Sequence, residues 1–433
     1  MKQGIAAITV MAAITVVTWA ASTSTMAMPR SGEVAQLLGA LALVTLAAIL
    51  IIATRWRVVD RLFNGLDKAY VAHKWLGITT LILLGVHLIT LHTADLPRNE
   101  SALVHAGVPA LLLFLVAIIF ALAARHANYQ TWKLVHLFVV VPYGLGVAHY
   151  YGASSFGPLG LSPFSLWMDL VNLAGVLAAI YAVVFFGRLG PRHKYVVTTC
   201  RPVADGILEI TAQPVRRAIS FKPGQFAFLT IPRLGFDSHP FTISSGTGDP
   251  LQFTVRALGD DTTRLVSHLR PGIQMTVAGP YGQFDPTTGT PSQIWVAAGI
   301  GITPFRSIVR TDVPDRLSVD LFYAYHGEAG GAYLDELRAL NQPNLRVHLV
   351  NTAVEGRLTA PMIAARAPSS SPRDVYFCGP QPLRDALRAS LLSSGAPVAG
   401  FHFEEFGFGR PTTVHKSRRH SSVSIGLISG VGQ

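Results

Sequence analysis

The chain has 433 residues, enough for two or three domains, and half of them are hydrophobic. A mean hydropathy of +0.40 excludes an ordinary soluble protein of this size. The net charge is +11, but much of the excess lies in short loops between apolar runs and in a tail holding Arg410, Lys416, Arg418 and Arg419. That distribution suits a membrane surface and gives no reason to invoke nucleic acid.

Six charge-poor runs precede residue 190, at 5–21, 34–53, 70–91, 102–124, 132–151 and 164–187. Each is near the length needed to cross hydrocarbon as a helix. Arg55, Arg57, Arg61, Lys68 and Lys74 lie around the second connection, Arg125 and Lys133 around the fourth, and Arg188, Arg192 and Lys194 after the sixth run. The odd-numbered connections hold only Arg30 and Arg98, beside Glu33, Asp95 and Glu100. The positive-inside rule then places both termini in the cytoplasm. The first run also resembles a cleavable signal peptide, with Lys2 before it and small residues around Ala27 after it. Its length favours an uncleaved helix, and the topology of the other five is the same either way.

The third and fifth runs carry two histidines each, His73 with His87 and His136 with His149. Steps of 14 and 13 residues set the two imidazoles of each helix roughly 20 Å apart. A single buried histidine reads as a hydrogen-bonded core residue. Four of them, matched in number and depth, ask for a joint purpose, and neutral imidazole is a good axial ligand for haem iron. His73 and His136 would hold an inner haem, His87 and His149 an outer one. The phase raises an obstacle: a 14-residue step returns to within about 40° of the same helix face, whereas a 13-residue step misses by about 140°. Pro142 lies between His136 and His149 and can kink or rewind that helix.

After Gly190 the apolar runs shorten and alternate. Segments 195–199, 207–211, 225–231 and 251–257 read as strands separated by Pro, Gly and Asp, which implies a small antiparallel barrel ending near Phe284. Only Cys200 and Cys378 are cysteines, so no structural disulfide is expected. From Gln293 strands alternate with helices: strands at 294–298, 318–325, 346–350, 374–378 and 401–406, helices opening at Thr303 and at 333–340 and 382–393. This is the pattern of a mainly parallel sheet that binds its ligand beyond the carboxyl ends of the strands. The turn Gly299-Ile300-Gly301-Ile302-Thr303-Pro304 fits a dinucleotide at that place.

The string His239-Pro240-Phe241-Thr242-Ile243-Ser244-Ser245 resembles the flavin motif of the ferric reductase and NADPH oxidase superfamily, whose soluble half is similar to ferredoxin–NADP reductase. Phe221-Lys222-Pro223-Gly224-Gln225-Phe226 precedes it, and Arg256, Gly259-Asp260 and Gly279-Pro280-Tyr281-Gly282 follow in the family's order. The Gly299 turn, Cys378-Gly379-Pro380 and Phe403-Glu404-Glu405-Phe406 complete the set, so the resemblance covers about residues 35–408. With the composition, it divides the chain into a membrane all-α six-helix haem domain at 1–190, an antiparallel β-barrel FAD domain at 191–288, an α/β nucleotide-binding domain at 289–408 and a basic tail at 409–433.

The implied cofactors are FAD, NAD(P)H and two b-type haems. Phe241 would cover the flavin ring and Thr242 hydrogen-bond its redox-active edge, with His239 and Arg256 on the pyrophosphate; Pro240 and Gly282 belong to the same motifs. Gly299, Gly301, Thr303 and Pro304 would seat the second nucleotide at a helix N-terminus. Cys378, with Gly379 and Pro380, matches the position beside the nicotinamide, and Phe406 the aromatic that stacks on the flavin until nicotinamide displaces it. Two departures stand out: a basic stretch follows Phe408, and His326-Gly327-Glu328 occupies the place where NADPH-using relatives carry a basic residue, which leans towards NADH.

The expected activity is transfer of electrons from cytoplasmic NAD(P)H across the inner (plasma) membrane, to a ferric chelate first and to dioxygen second, the latter giving superoxide. His92 and His105 lie at the outer end, where each reads first as a solvated loop histidine and second as a contact for such an acceptor. Donation to quinone or to a partner redox protein is the alternative, as is a haem module with a nucleotide sensor that does no turnover. The sequence leaves the acceptor, the nicotinamide preference and the oligomeric state open.

Overall fold

The computed structural model describes residues 1–23, 30–93, 102–123, 135–153, 160–186, 192–393 and 397–404. In the first part the apolar runs form helices: α1 (Lys2–Thr23), α2 (Arg30–Ala53), α3 (Arg57–Phe63), α4 (Leu66–Thr93), α5 (Ala102–His105), α6 (Gly107–Leu122), α7 (Val140–Ala153) and α8 (Pro163–Ile180). Among the described residues five stretches are long and apolar enough to cross a membrane: Lys2–Ser22, Ser31–Ala53, Leu66–Thr93, Leu103–Phe120 and Pro163–Phe185. The run expected at 132–151 begins outside the described residues, so a sixth span is not among those counted.

Helix α2 is the centre of the bundle. Its Ala40, Val44 and Ala47 are closed off from solvent and pack with Tyr143, Phe164 and Met168. Ile82, Ile89, Val116, Ile119 and Leu170 point outwards and stay exposed, as expected of a surface solvated by lipid. Ser162 starts α8 by accepting the Ser165 N–H at 3.1 Å, and Pro163 needs no donor at the first helical position. A π turn, Tyr181–Phe185, widens the end of this helix. Helix α3 was not legible in the sequence as an element of its own; it stops at Asn64, which turns left-handed at φ 57.

The second part holds a six-stranded antiparallel sheet in the order β4-β3-β6-β1-β2-β5. Its strands are β1 (Arg192–Ala204), β2 (Ile207–Pro214), β3 (Phe226–Ile231), β4 (Phe236–Thr242), β5 (Leu251–Arg256) and β6 (Gln274–Tyr281), with α9 (Asp260–His268) between the last two. The sequence reading missed β4 and β6 because each contains a proline. Pro240 is tolerated because β4 is an edge strand, and Pro280 because it sits beside a register shift in the β3–β6 pairing.

The third part is a parallel sheet in the order β11-β10-β7-β8-β9. It comprises β7 (Ser292–Ala298), β8 (Ser318–Tyr325), β9 (Leu345–Asn351), β10 (Arg373–Cys378) and β11 (Val398–Phe403). Helices α10 (Thr303–Thr311) and α11 (Leu334–Arg338) cover one face, and α12 (Ala360–Arg366) and α13 (Gln381–Ser393) the other. Trp295 and Ala297 therefore meet one core while Ile294 and Val296 meet the other, and all four are buried.

Candidate functional site

Strand β7 has β8 on one side and β10 on the other, so the chain reverses its winding direction between β7 and β10. That switch point is where a doubly wound sheet opens a crevice. The two turns that leave it meet there: a Cβ added at Gly301 would fall 2.1 Å from the Cys378 carbonyl oxygen, so no other residue fits. A Cβ at Gly379 would fall 2.8 Å from that of Ala298. Thr303 and Pro304 open α10 beside this turn, with the Thr303 hydroxyl donating to the Ile300 carbonyl at 3.0 Å. Cys378 is buried, and burial pushes its thiol well above the ordinary range, with the Glu404 carboxyl adding to the effect. The thiol is therefore neutral at physiological pH.

The flavin-motif residues lie on β4, which pairs with β3 in the register Phe226↔Thr242, Ala227↔Phe241, Phe228↔Pro240 and Leu229↔His239. Thr242 is buried, whereas His239, Pro240 and Phe241 are half-buried. His239 Nδ1 donates to the Asp237 carbonyl at 2.8 Å, which leaves Nε2 facing Asp261 at 3.6 Å. Arg256 ends β5, and a Cβ added at Gly299 would come within 3.3 Å of its Nη1. The flavin-motif arginine and the nucleotide turn thus share one seam.

A buried arginine locks that seam. Arg306 of α10 donates to Ser244 O and Gln252 Oε1 at 3.1 Å, pairs with Glu336 at 2.9 Å and Glu209 at 3.2 Å, and lies over the Tyr333 ring at 3.9 Å. Tyr333 in turn donates to Glu209 at 3.0 Å. Two halves joined by so many directed contacts keep a fixed spacing.

Glu404 carries no signal of a site role in the sequence. Its Oε1 would lie 3.0 Å from a Cβ at Gly282, and its Oε2 is buried with no hydrogen-bond partner among the described residues. Burial pushes this carboxyl well up, Asp67 and Asp60 reinforce the shift and Lys68 opposes it. The residue stood in the quoted Phe403-Glu404-Glu405-Phe406 string, but its burial depends on the membrane hairpin packing against it, which no local pattern reveals. Phe406 lies outside the described residues.

In the membrane part the four histidines form two facing pairs. The ring centres of His73 and His136 are 5.9 Å apart, and those of His87 and His149 are 6.3 Å apart. Rewinding offsets part of the phase obstacle on the fifth run: Phe138, Val139 and Val141 donate to the residues three before them, and such a turn advances about 120° per residue in place of 100°. His87 Nδ1 donates to the Ala35 carbonyl and His149 Nδ1 to the Val104 carbonyl, both at 2.7 Å. His92 and His105 are exposed, in the last turn of α4 and at the end of α5.

Three family models match the chain in order: a ferric reductase like transmembrane component over residues 38–147, an FAD-binding domain over 193–285 and an oxidoreductase NAD-binding domain over 295–389. The chain thus joins a ferric reductase-like transmembrane domain to an FAD- and NAD-binding module of the ferredoxin reductase type. This ferric reductase-like chain is 31% identical over 200 residues to the ferredoxin reductase component of 3-ketosteroid-9-alpha-monooxygenase from Mycobacterium tuberculosis, covering 44% of itself and 56% of that protein. To the glycine betaine monooxygenase reductase subunit of Chromohalobacter salexigens it is 28% identical over 207 residues, or 43% and 56% of the two chains. It spans about half the length of these curated relatives. Among solved structures, phthalate dioxygenase reductase superposes with a TM-score of 0.44 at 21% identity, over 51% of this chain and 70% of that one.

Proposed function

We propose that the protein is a transmembrane oxidoreductase that takes electrons from cytoplasmic NAD(P)H and delivers them through FAD and two b-type haems to an acceptor outside the inner (plasma) membrane, with ferric chelates as the preferred acceptor. The observation that carries this reading is the facing of two imidazole pairs, 5.9 and 6.3 Å apart, at two depths of one helix pair. Two metal–imidazole bonds of about 2 Å, each extended to its ring centre, span roughly 6 Å. No group of three or more His, Cys, Asp or Glu among the described residues offers a bare metal ion a site. Two imidazoles alone are the donor set that suits a macrocycle supplying the other ligands. Gly39 and Gly107 leave room for the outer pair, since a Cβ at either would press on His87 or His149 at 3.2 and 2.8 Å.

FAD would accept two electrons together and release them singly, and haem would carry them one at a time. The chain's own residues supply the rest. Phe241, Thr242, His239, Arg256 and Gly282 would seat the flavin, and the orphaned Glu404 oxygen marks polar capacity beside that seat. The Gly299–Gly301 and Cys378–Pro380 turns would seat the nicotinamide nucleotide, with the neutral Cys378 thiol at its reacting end. The ordinary Nδ1 bonds to Ala35 and Val104 hold the outer imidazoles with Nε2 turned inwards. Beyond β8, Glu328 accepts from Arg338 at 2.8 Å and Tyr325 at 3.0 Å. A carboxylate there, with its neighbouring cation already engaged, disfavours a ribose phosphate and supports NADH.

The likeness to monooxygenase reductase components favours one second reading, donation to a partner protein. An anaerobic visible spectrum of detergent-purified, FAD-loaded protein decides between them. Reduced six-coordinate haem bands after NADH, at two haems per chain, with prompt reoxidation by a soluble ferric chelate, support the proposal. Reoxidation by air alone supports dioxygen as the acceptor, failure with either favours a partner, and absence of haem sinks the membrane reading.

A further inference from the structure

One carboxylate in the link between α2 and α4 bridges the flavin-motif turn and the start of helix α4. Asp60 of α3 is buried. Its Oδ1 accepts the Leu66 N–H at 3.1 Å and the Gly282 N–H at 3.3 Å, and its Oδ2 accepts Gln283 Nε2 at 2.7 Å. Leu66 is the first residue of α4, and His73 follows seven residues on, about 10 Å along the same helix. Gly282 lies against Glu404 and Phe226 in the flavin-motif turn. The carboxylate therefore ties the start of the histidine-bearing helix to the flavin seat.

The surroundings are built for this tie. Ile52, Val59, Phe63 and Leu66 of the membrane hairpin share one core with Phe226, Phe228 and Tyr281 of the barrel. Arg55 takes a left-handed φ of 54 and lays its guanidinium over Phe228 at 4.6 Å and Tyr70 at 5.7 Å. The Tyr70 ring stands 6.3 Å from that of His73. The seam opens here into a cleft of about 250 Å³ lined by Asp60 and Gln283 themselves together with Arg57, Arg61 and Lys222. A carboxylate accepts all three donors as they stand; an asparagine would keep both backbone N–H bonds through its Oδ1 and meet Gln283 once that amide turned over, whereas a leucine accepts from none of them. The N-terminus of the long helix α4 also favours the anion.

We propose that Asp60 is a positioning residue that fixes the 279–283 turn against α4 and so sets the rate at which electrons pass from the flavin to the inner haem. The proposal rests on the haem assignment made above. Asp60 touches neither cofactor. It acts on their spacing, to which electron transfer is sensitive.

The test uses full-length protein loaded with FAD and haem. In anaerobic stopped flow with NADH, Asp60→Leu keeps haem content and flavin bleaching close to wild type while haem reduction slows several-fold. Gln283→Ala slows it less, and the double variant is no slower than Asp60→Leu, since Gln283→Ala breaks a contact that Asp60→Leu has already removed. Hydrogen exchange across 279–283 speeds up in each variant, a readout that needs no haem. Wild-type haem reduction in Asp60→Leu, a parallel slowing of flavin bleaching, or unchanged exchange across 279–283 overturns the proposal. If Asp60→Leu does not fold, Gln283→Ala gives the same three readouts. Wild-type protein lacking haem removes the haem assignment and the rate claim with it, whereas the exchange arm separately shows whether Asp60 holds the turn.

Discussion

The nucleotide end and the membrane end of this chain build their sites by opposite means. At the β7–β10 switch point the site is mostly backbone: two glycine turns approach so closely that a single methyl group does not fit under the Cys378 carbonyl. In the membrane the site is four side chains on two helices, and the backbone only fixes the ring nitrogens of the outer pair. The first kind of site fails by overfilling, and the second by loss of one donor. The two call for different substitutions.

His87→Leu breaks the membrane side most completely. Haem per chain falls by half in a pyridine haemochrome assay while NAD(P)H still bleaches the flavin; unchanged haem content counts against the pairing. Arg306→Leu attacks the lock between the soluble halves. Stranding a buried charge costs about 3–5 kcal/mol, here towards the low end because Arg201 still reaches Glu209 at 2.9 Å. The shift in denaturation midpoint of bound-flavin fluorescence measures it, and a shift under a tenth of that size would contradict the lock.

Gly301→Ala tests the overfilled case. It costs about 1–3 kcal/mol and weakens NADH binding in a titration without lowering flavin content, whereas equal loss of both would place the turn elsewhere in the site. Glu404→Gln has a smaller effect with a definite sign. A carboxyl raised by burial is most favourable to the fold below its unfolded value of about 4.3 and loses that contribution as pH climbs towards the folded value. The glutamine variant should match wild type in Tm at pH 4 and gain on it as pH rises from there; a constant gap would contradict the burial. Glu328→Gln is the mildest, with a few-fold shift in kcat/KM from NADH towards NADPH, and no shift would leave cofactor choice to other residues.

Periodicity made the three-part architecture legible. Long charge-poor runs have few alternatives to spanning helices, and the strand at Ser318–Tyr325 was bounded by its own turns. Strands β4 and β6 escaped because their prolines read as breakers, and only the sheet edge and a register shift make them tolerable. The site residues were visible where they formed contiguous strings. Asp60 was not, because its partner Gly282 lies 222 residues away, and the role of Glu404 was hidden even inside its string because its burial comes from a distant part of the chain. The rewinding after His136 was equally hidden: Pro142 signalled a disturbance, but its direction depends on hydrogen bonds at 138–141.

The π turn at Tyr181–Phe185 has an implication for how this chain tolerates change in length. Each residue added to or taken from a helix rotates everything after it by about 100°. Phe186, just past the turn, carries the Arg55 guanidinium at 5.3 Å and that of Arg192, the first residue of the barrel, at 5.7 Å. Deleting one residue from the turn would swing Phe186 out from under both and re-aim the barrel's attachment. Insertions and deletions should therefore be rare between 181 and 186 in any set of homologues, and a chimera that exchanges membrane and soluble halves should be joined elsewhere.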